Sequence, residues 1–125
     1  MSDEQRLWAV RGATKVPSNR SEMIVEATEE LMRELMARND LSIDQMVSCI
    51  FTSTHDLNAE FPAVAARKLG LDSVPLLCAR EIDVPGAMPS VVRALVHYYA
   101  PAGHKPTHAY LGEAQELRSD LKAAQ

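Results

Sequence analysis

Apolar residues in this chain of 125 change their spacing from one proline or glycine to the next, and that alternation limits most strongly what it can fold into. Residues 7–11 alternate and stop at Gly12, which predicts a strand with Leu7, Ala9 and Arg11 on one face. Pro17 and Ser18 open a loop. Asn19 then suits a helix N-cap, with Glu22 at the third helical position, and the helix is expected to run to about Arg38. Its apolar stripe is Ile24, Ala27, Thr28, Leu31 and Leu35. Glu29 with Arg33, and Glu34 with Arg38, are i,i+4 pairs on the solvated face, each worth about 0.2–0.5 kcal/mol.

Residues 46–52 are apolar and β-branched and read as a second strand, followed by a polar loop over 52–58. Pro62 suits the first turn of a short helix and Gly70 its C′ position. Residues 74–79 read as a third strand starting near Pro75, and 85–88 as a turn. Pro89 can open a helix over 89–100 with Val92, Leu95, Val96 and Tyr99 as its core stripe. A loop over 101–106 leads to a last strand over 107–111, and the remainder is polar. The order β-α-β-α-β-α-β predicts an α/β or α+β layer fold, a mixed sheet with helices packed on it. The length suits one domain over 1–125, with 113–125 as a polar tail. The helix over 60–70 is short and the sheet has only about four or five strands, so one sheet face is expected to be incompletely covered, which points to an oligomer.

Hydrophobic residues make up 46% and charged residues 24%, as in an ordinary globular protein. Lys and Arg number 13 against 17 Asp and Glu, a net charge of −4, which argues against a general nucleic-acid binder. No apolar run is long enough to span a membrane, and the acidic, polar start is unlike a secretory signal. Two cysteines, Cys49 and Cys78, are too few for a disulfide framework and read as reduced thiols of a cytoplasmic protein.

Phosphate-binding glycine loops and the G-x-S-x-G elbow are missing from the sequence. His104 and His108 have a metal-like spacing, but the interval spans a proline-containing loop and no adjacent ligand pair completes it, so no metal or cofactor is expected. Cys78 near Glu81 suggests a thiol nucleophile, although a cysteine in an apolar strand is more often a small core residue. His55 and Asp56 fit a polar turn better than a triad. The informative feature is arginine placement: Arg11 ends an apolar strand, Arg93 flanks an apolar segment, Arg67 follows Phe61 and Pro62, and Arg118 follows Leu117. Arginine is permanently charged and binds carboxylates in a two-pronged grip, so a convergence of these would suit a small carboxylate guest.

Four blocks, at residues 10–14, 56–63, 74–84 and 108–114, resemble in order the monofunctional chorismate mutases of the small trimeric bacterial type. The likeness runs from about Leu7 to Leu121 and includes Arg93, Leu117 and Arg118. It implies rearrangement of chorismate to prephenate on the route to Phe and Tyr, without cofactor. It also implies a pseudo-α/β-barrel homotrimer with active sites between subunits. By the same resemblance Arg93 meets the breaking ether oxygen and a carboxylate, Arg11 the other carboxylate side, Glu81 and Cys78 the ring hydroxyl, and Tyr110 a carboxylate. Phe61, Ala63, Arg67, Leu76 and Leu77 match pocket-lining positions, and Leu117 and Arg118 a tail that closes the site. Val64 and Leu77 depart from the family pattern, standing where a lysine and a threonine can occur, and remove possible polar contacts. On a regular strand Cys78 and Glu81 would face opposite sides, so either the strand bends or they serve different sites. Two other readings carry the same residues: a trimeric binder of a small carboxylate metabolite without turnover, and a deaminase or tautomerase using Cys78 or Glu81 as base.

Overall fold

A computed structural model describes residues 4–117. Along them run β1 (Gln5–Lys15), α1 (Ser21–Arg38), β2 (Met46–Ser53), α2 (Ala63–Lys68), β3 (Leu76–Arg80), β4 (Val91–Pro101) and β5 (Ala109–Tyr110), with single 3-10 turns at Ile43–Gln45 and Gly112–Glu116. The helix expected over residues 89–100 is strand β4. The expected stripe of Val92, Leu95, Val96 and Tyr99 fits helical spacing, but beyond Val91, buried in the second apolar cluster, the buried residues are Val92, Ala94, Val96, Tyr98 and Ala100, which have period two. Branching at Val91, Val92 and Val96 disfavours a helix and suits a pleated surface. Ser90, at φ +60, also breaks any helix begun at Pro89.

The five strands form one mixed sheet in the order β3-β2-β4-β1-β5. β4 lies at its centre, antiparallel to β1 from Gln5↔Pro101 to Lys15↔Val91 and antiparallel to β2 on its other side. β3 pairs parallel with β2, and β5 parallel with β1, at the two edges. α1 and α2 pack together on one face, where Val10, Phe51, Val92 and Val96 of the sheet meet Ile24, Leu31 and Leu35 of α1 and Ala66 of α2. The opposite face is only partly covered: Leu7 is 52% exposed and Tyr99 47% exposed. Among the described residues no helix is long and apolar enough to cross a membrane.

The helix start also differs from expectation. α1 begins at Ser21 with Arg20 in the cap position and no side-chain cap. Asn19 is drawn away from the helix: its amide oxygen accepts from the backbone N–H groups of Asn58 and Ala59, and its amide nitrogen donates to Asn58 Oδ1. A long-range clamp has replaced a local cap. The two i,i+4 pairs form as expected, Arg33–Glu29 at 3.2 Å and Arg38–Glu34 at 2.9 Å.

A second clamp holds the entry to β4. The Asp56 carboxylate accepts from the Thr54 hydroxyl and from both the backbone N–H and hydroxyl of Ser90, which keeps Ser90 in its left-handed conformation. The Thr54 hydroxyl in turn accepts from the Val91 N–H at 3.1 Å. Thr54's hydrogen bond, more than Ser90's, holds the Asp56 carboxyl below its usual 3.8. A carboxyl depressed on folding stabilises the native state above its unfolded pKa and loses that effect as pH falls through the folded value. Asp56→Asn should therefore cost roughly 1.5–3 kcal/mol at neutral pH, the range for hydrogen bonds to a charged group. The difference from wild type should shrink below about pH 4, as followed by denaturant melts across pH.

Gly12 lies where β5 and α1 close on β1. A Cβ there would stand 2.4 Å from the Ala109 carbonyl oxygen and 2.9 Å from Leu31 Cδ1. The first contact is backbone and cannot swing aside. Gly12→Ala should cost about 1–3 kcal/mol in a denaturant melt, the scale of overpacking, and a smaller loss would mean that β5 is free to move away.

Candidate active site

Antiparallel pairing brings the two arginines together. Arg93 lies opposite Ala13 and Leu95 opposite Arg11, so Arg11 and Arg93 are diagonal neighbours on the face that the helices leave open. Diagonal positions of this kind lie roughly 7–8 Å apart, within reach for long side chains. Both line a cavity of about 220 Å³, with Ile50, Thr52, Leu95 and Tyr110 among its other walls.

Glu81 joins this group from the end of β3. Its backbone N–H donates to the Ser53 carbonyl at 3.0 Å, which carries the β2–β3 pairing one residue beyond the strand. Its Oε2 accepts twice, from Arg93 Nε at 2.9 Å and from the Thr52 hydroxyl at 2.7 Å. The Glu81 side chain is 16% exposed and that of Arg93 40%. Among the described residues, no donor reaches Glu81 Oε1, no acceptor reaches the two Nη groups of Arg93, and no carboxylate pairs with the Arg11 guanidinium. Two permanent cations thus share one cavity, and the carboxylate bound to one of them is only half engaged. The excess of positive charge, set beside apolar walls, suits an anionic guest with a hydroxyl to donate.

Arg11 and Tyr110 are anchored by neighbouring chain. The Arg11 backbone N–H donates to His108 Nδ1 at 3.1 Å, so an imidazole supplies the rung that precedes the β1–β5 ladder. Tyr110 is 7% exposed and packs with Ala13, Val91, Ala114 and Leu117, and this second apolar cluster closes one end of the open face.

Other residues expected at the site lie elsewhere in the chain. Cys78 packs against the main core and lines a separate cavity of about 350 Å³ with Phe61 and Arg80. Cys78 and Glu81 therefore do serve different cavities of one chain, as strand alternation requires. Ala63 is buried in the first turn of α2, Arg67 and Leu76 line a third hollow of about 210 Å³ with Asp72, and Leu77 is largely exposed. Leu117 is buried beside Tyr110, and Arg118 lies outside the described residues. Burial, with the nearby Cys78 second, pushes the Cys49 thiol up to about 12, which keeps it protonated at neutral pH. His104 hydrogen-bonds the Tyr98 hydroxyl through Nε2 at 2.7 Å, so the two histidines of the metal-like spacing serve separate structural contacts. His55 faces Asp83 at 3.4 Å on the surface.

Thr52 was not expected. Its only signal in the sequence is a hydroxyl at the end of an apolar strand. The signal becomes legible only through register, because Thr52 lies directly opposite Arg93. With residues 89–100 read as helix, no such pairing could be drawn.

Comparisons with known proteins point to one family. The chorismate mutase type I family matches residues 7–121. The chorismate mutase AroH of Thermus thermophilus is 42% identical over 118 residues, covering 93% of this chain and 97% of that protein. The chorismate mutase AroH of Bacillus subtilis is 32% identical over 114 residues, 90% of each. Among solved structures, a chorismate mutase from Clostridium thermocellum superposes with a TM-score of 0.82 at 41% identity, over 87% of this chain and 98% of that one.

Proposed function

The chain belongs to the chorismate mutase type I family, and from that membership we propose that it converts chorismate to prephenate by holding the substrate against Arg11 and Arg93. The observation that carries the proposal is the shared cavity of these two arginines, whose charge exceeds that of the one carboxylate beside them.

Chorismate is a dianion with a ring hydroxyl and an enolpyruvyl ether. In the rearrangement the ether C–O bond breaks as a C–C bond forms, in one pericyclic step without proton transfer. The demands on a protein are two. It must hold the side chain folded over the ring, and it must place positive charge where the ether oxygen gains negative charge. Arg93 supplies that charge through its Nη groups, while its Nε remains on Glu81. Arg11 takes a carboxylate, and Tyr110 adds a further donor. Glu81 accepts from the ring hydroxyl through Oε1, which explains a carboxylate in an anion site.

The site is completed by a neighbouring copy. One chain carries the arginine cavity and, apart from it, the cavity of Phe61 and Cys78 and the hollow of Arg67 and Leu76. In a homotrimer built as a pseudo-α/β-barrel, Phe61, Ala63, Arg67, Leu76, Leu77 and Cys78 of one subunit close the arginine cavity of the next. Leu117, packed beside Tyr110, closes one end of that cavity, and Arg118 lies outside the described residues. Support for this assembly comes from the partly bare sheet face and from the separation of the two groups within one chain.

The decisive test is loss of chorismate absorbance with purified protein. Turnover is expected, and unchanged absorbance would leave only a binder. Arg93→Gln should lower kcat by about 10²–10³, the scale for losing one transition-state donor, with the fold intact by circular dichroism. The kcat profile should be flat across neutral pH, because guanidinium charge is constant there. A limb in that profile together with loss of activity in Cys78→Ala would favour a base-catalysed reaction instead. Solution mass should be three times the 13.8 kDa of the chain.

A further inference from the structure

We propose that Thr52 is a positioning residue for the rearrangement: its hydroxyl holds Glu81 in a one-point grip on Arg93 and so keeps the outer edge of that guanidinium open to the substrate. This rests on the function proposed above.

Arginine and carboxylate side chains commonly close into a two-pronged pair, with two parallel N–H···O bonds. Glu81 and Arg93 do not. Their one hydrogen bond among the described residues runs from Nε to Oε2, and the same oxygen takes the Thr52 hydroxyl at 2.7 Å. Thr52 is fixed by the sheet on both sides. It pairs with Arg93 across β2–β4 and with Ala79 across β2–β3, so its side chain rises on the open face between the strand that carries Arg93 and the one that delivers Glu81. A donor in that position holds Oε2 down against β2. That contact opposes the rotation by which the carboxylate would present both oxygens to Arg93.

Two atoms benefit. Glu81 Oε1 stays available as an acceptor, and the Nη groups of Arg93 stay available as donors. A fork-to-fork pair through Nε would consume Oε1 and one of the Nη groups, and the guest would have to break it before that edge of the guanidinium could meet the developing charge. Thr52 stands in the cavity wall, and its hydroxyl acts through Glu81 rather than on the reacting bond.

The experiment compares wild type, Thr52→Val, Thr52→Ser and Thr52→Val in a Glu81→Ala background, with kcat, KM and thermal melting measured for each. Thr52→Val keeps the shape and removes the donor. It should lower kcat on the order of tenfold, the effect of one hydrogen bond to a charged group, with KM and melting temperature little changed. Thr52→Ser keeps the donor and should stay within about threefold of wild type. In the Glu81→Ala background, followed at high enzyme concentration, Thr52→Val should cost nothing more, because the group it positions is gone. A general structural role would instead add its full loss there and lower the melting temperature, which would overturn the proposal. If Thr52→Val fails to fold, Thr52→Ala against Thr52→Ser reads the same donor. Wild-type protein that leaves chorismate untouched ends both readings. Active wild type with an unaffected Thr52→Val ends this one alone.

Discussion

The pairing of β4 with β1 is the constraint on which the rest depends. Alternation along both strands sends Val10, Val92 and Val96 into the helix-covered core and Arg11, Arg93 and Leu95 to the other face. A slip of one residue in that register would turn Arg93 into the core and Val92 out of it. The apolar core therefore does more than stabilise the sheet. Because burying the valines is so favourable, it fixes which face carries the charge and how far apart the two cations stand.

Two guanidinium groups gathered in one cavity repel each other, and a single carboxylate offsets only part of that. The open face makes the arrangement tolerable, because Arg93 keeps 40% of its side chain in contact with solvent and the charge is never fully desolvated. The same exposure leaves the charge usable. An anion that enters and displaces water meets donors already in place, and their field strengthens as the local dielectric falls. Stability and the proposed catalysis thus make opposite demands on these residues, and the polar chain from Thr52 through Glu81 to Arg93 is where the two meet.

The residues matched to the family site divide into two groups within one chain because strand alternation and the short α2 leave no alternative. Cys78 must face the core side if Leu76 does, and Phe61 stands at the entrance to α2, away from the arginines. A protein of this size with few helices has little surface from which to enclose a guest alone. Sharing the enclosure with a copy of itself covers the bare sheet face and finishes the cavity in one step, which is the economy of the proposed trimer.

Much of this was legible in the sequence. Helix α1, strands β2 and β3, the short helix after Pro62 and the glycine that ends it follow from spacing, branching and the conformational habits of proline and glycine, all of which act over a few residues. The arginines could be picked out by their placement beside apolar residues, and Glu81 and Tyr110 because the blocks around them resemble a known family. Strand β4 was not legible, because Val92, Leu95, Val96 and Tyr99 fit a helical spacing while Val92, Ala94, Val96, Tyr98 and Ala100 of the same segment fit an extended one, and only pairing on both sides decides between them. Asn19 was misread as a cap because its partners, Asn58 and Ala59, are distant in sequence. The sequence by itself determined local conformation and the chemical types available, since those depend on each residue and its near neighbours. Tertiary structure alone decided that Arg11 and Arg93 share a cavity and that Thr52 stands beneath Glu81, because register and proximity are properties of strands paired across the chain.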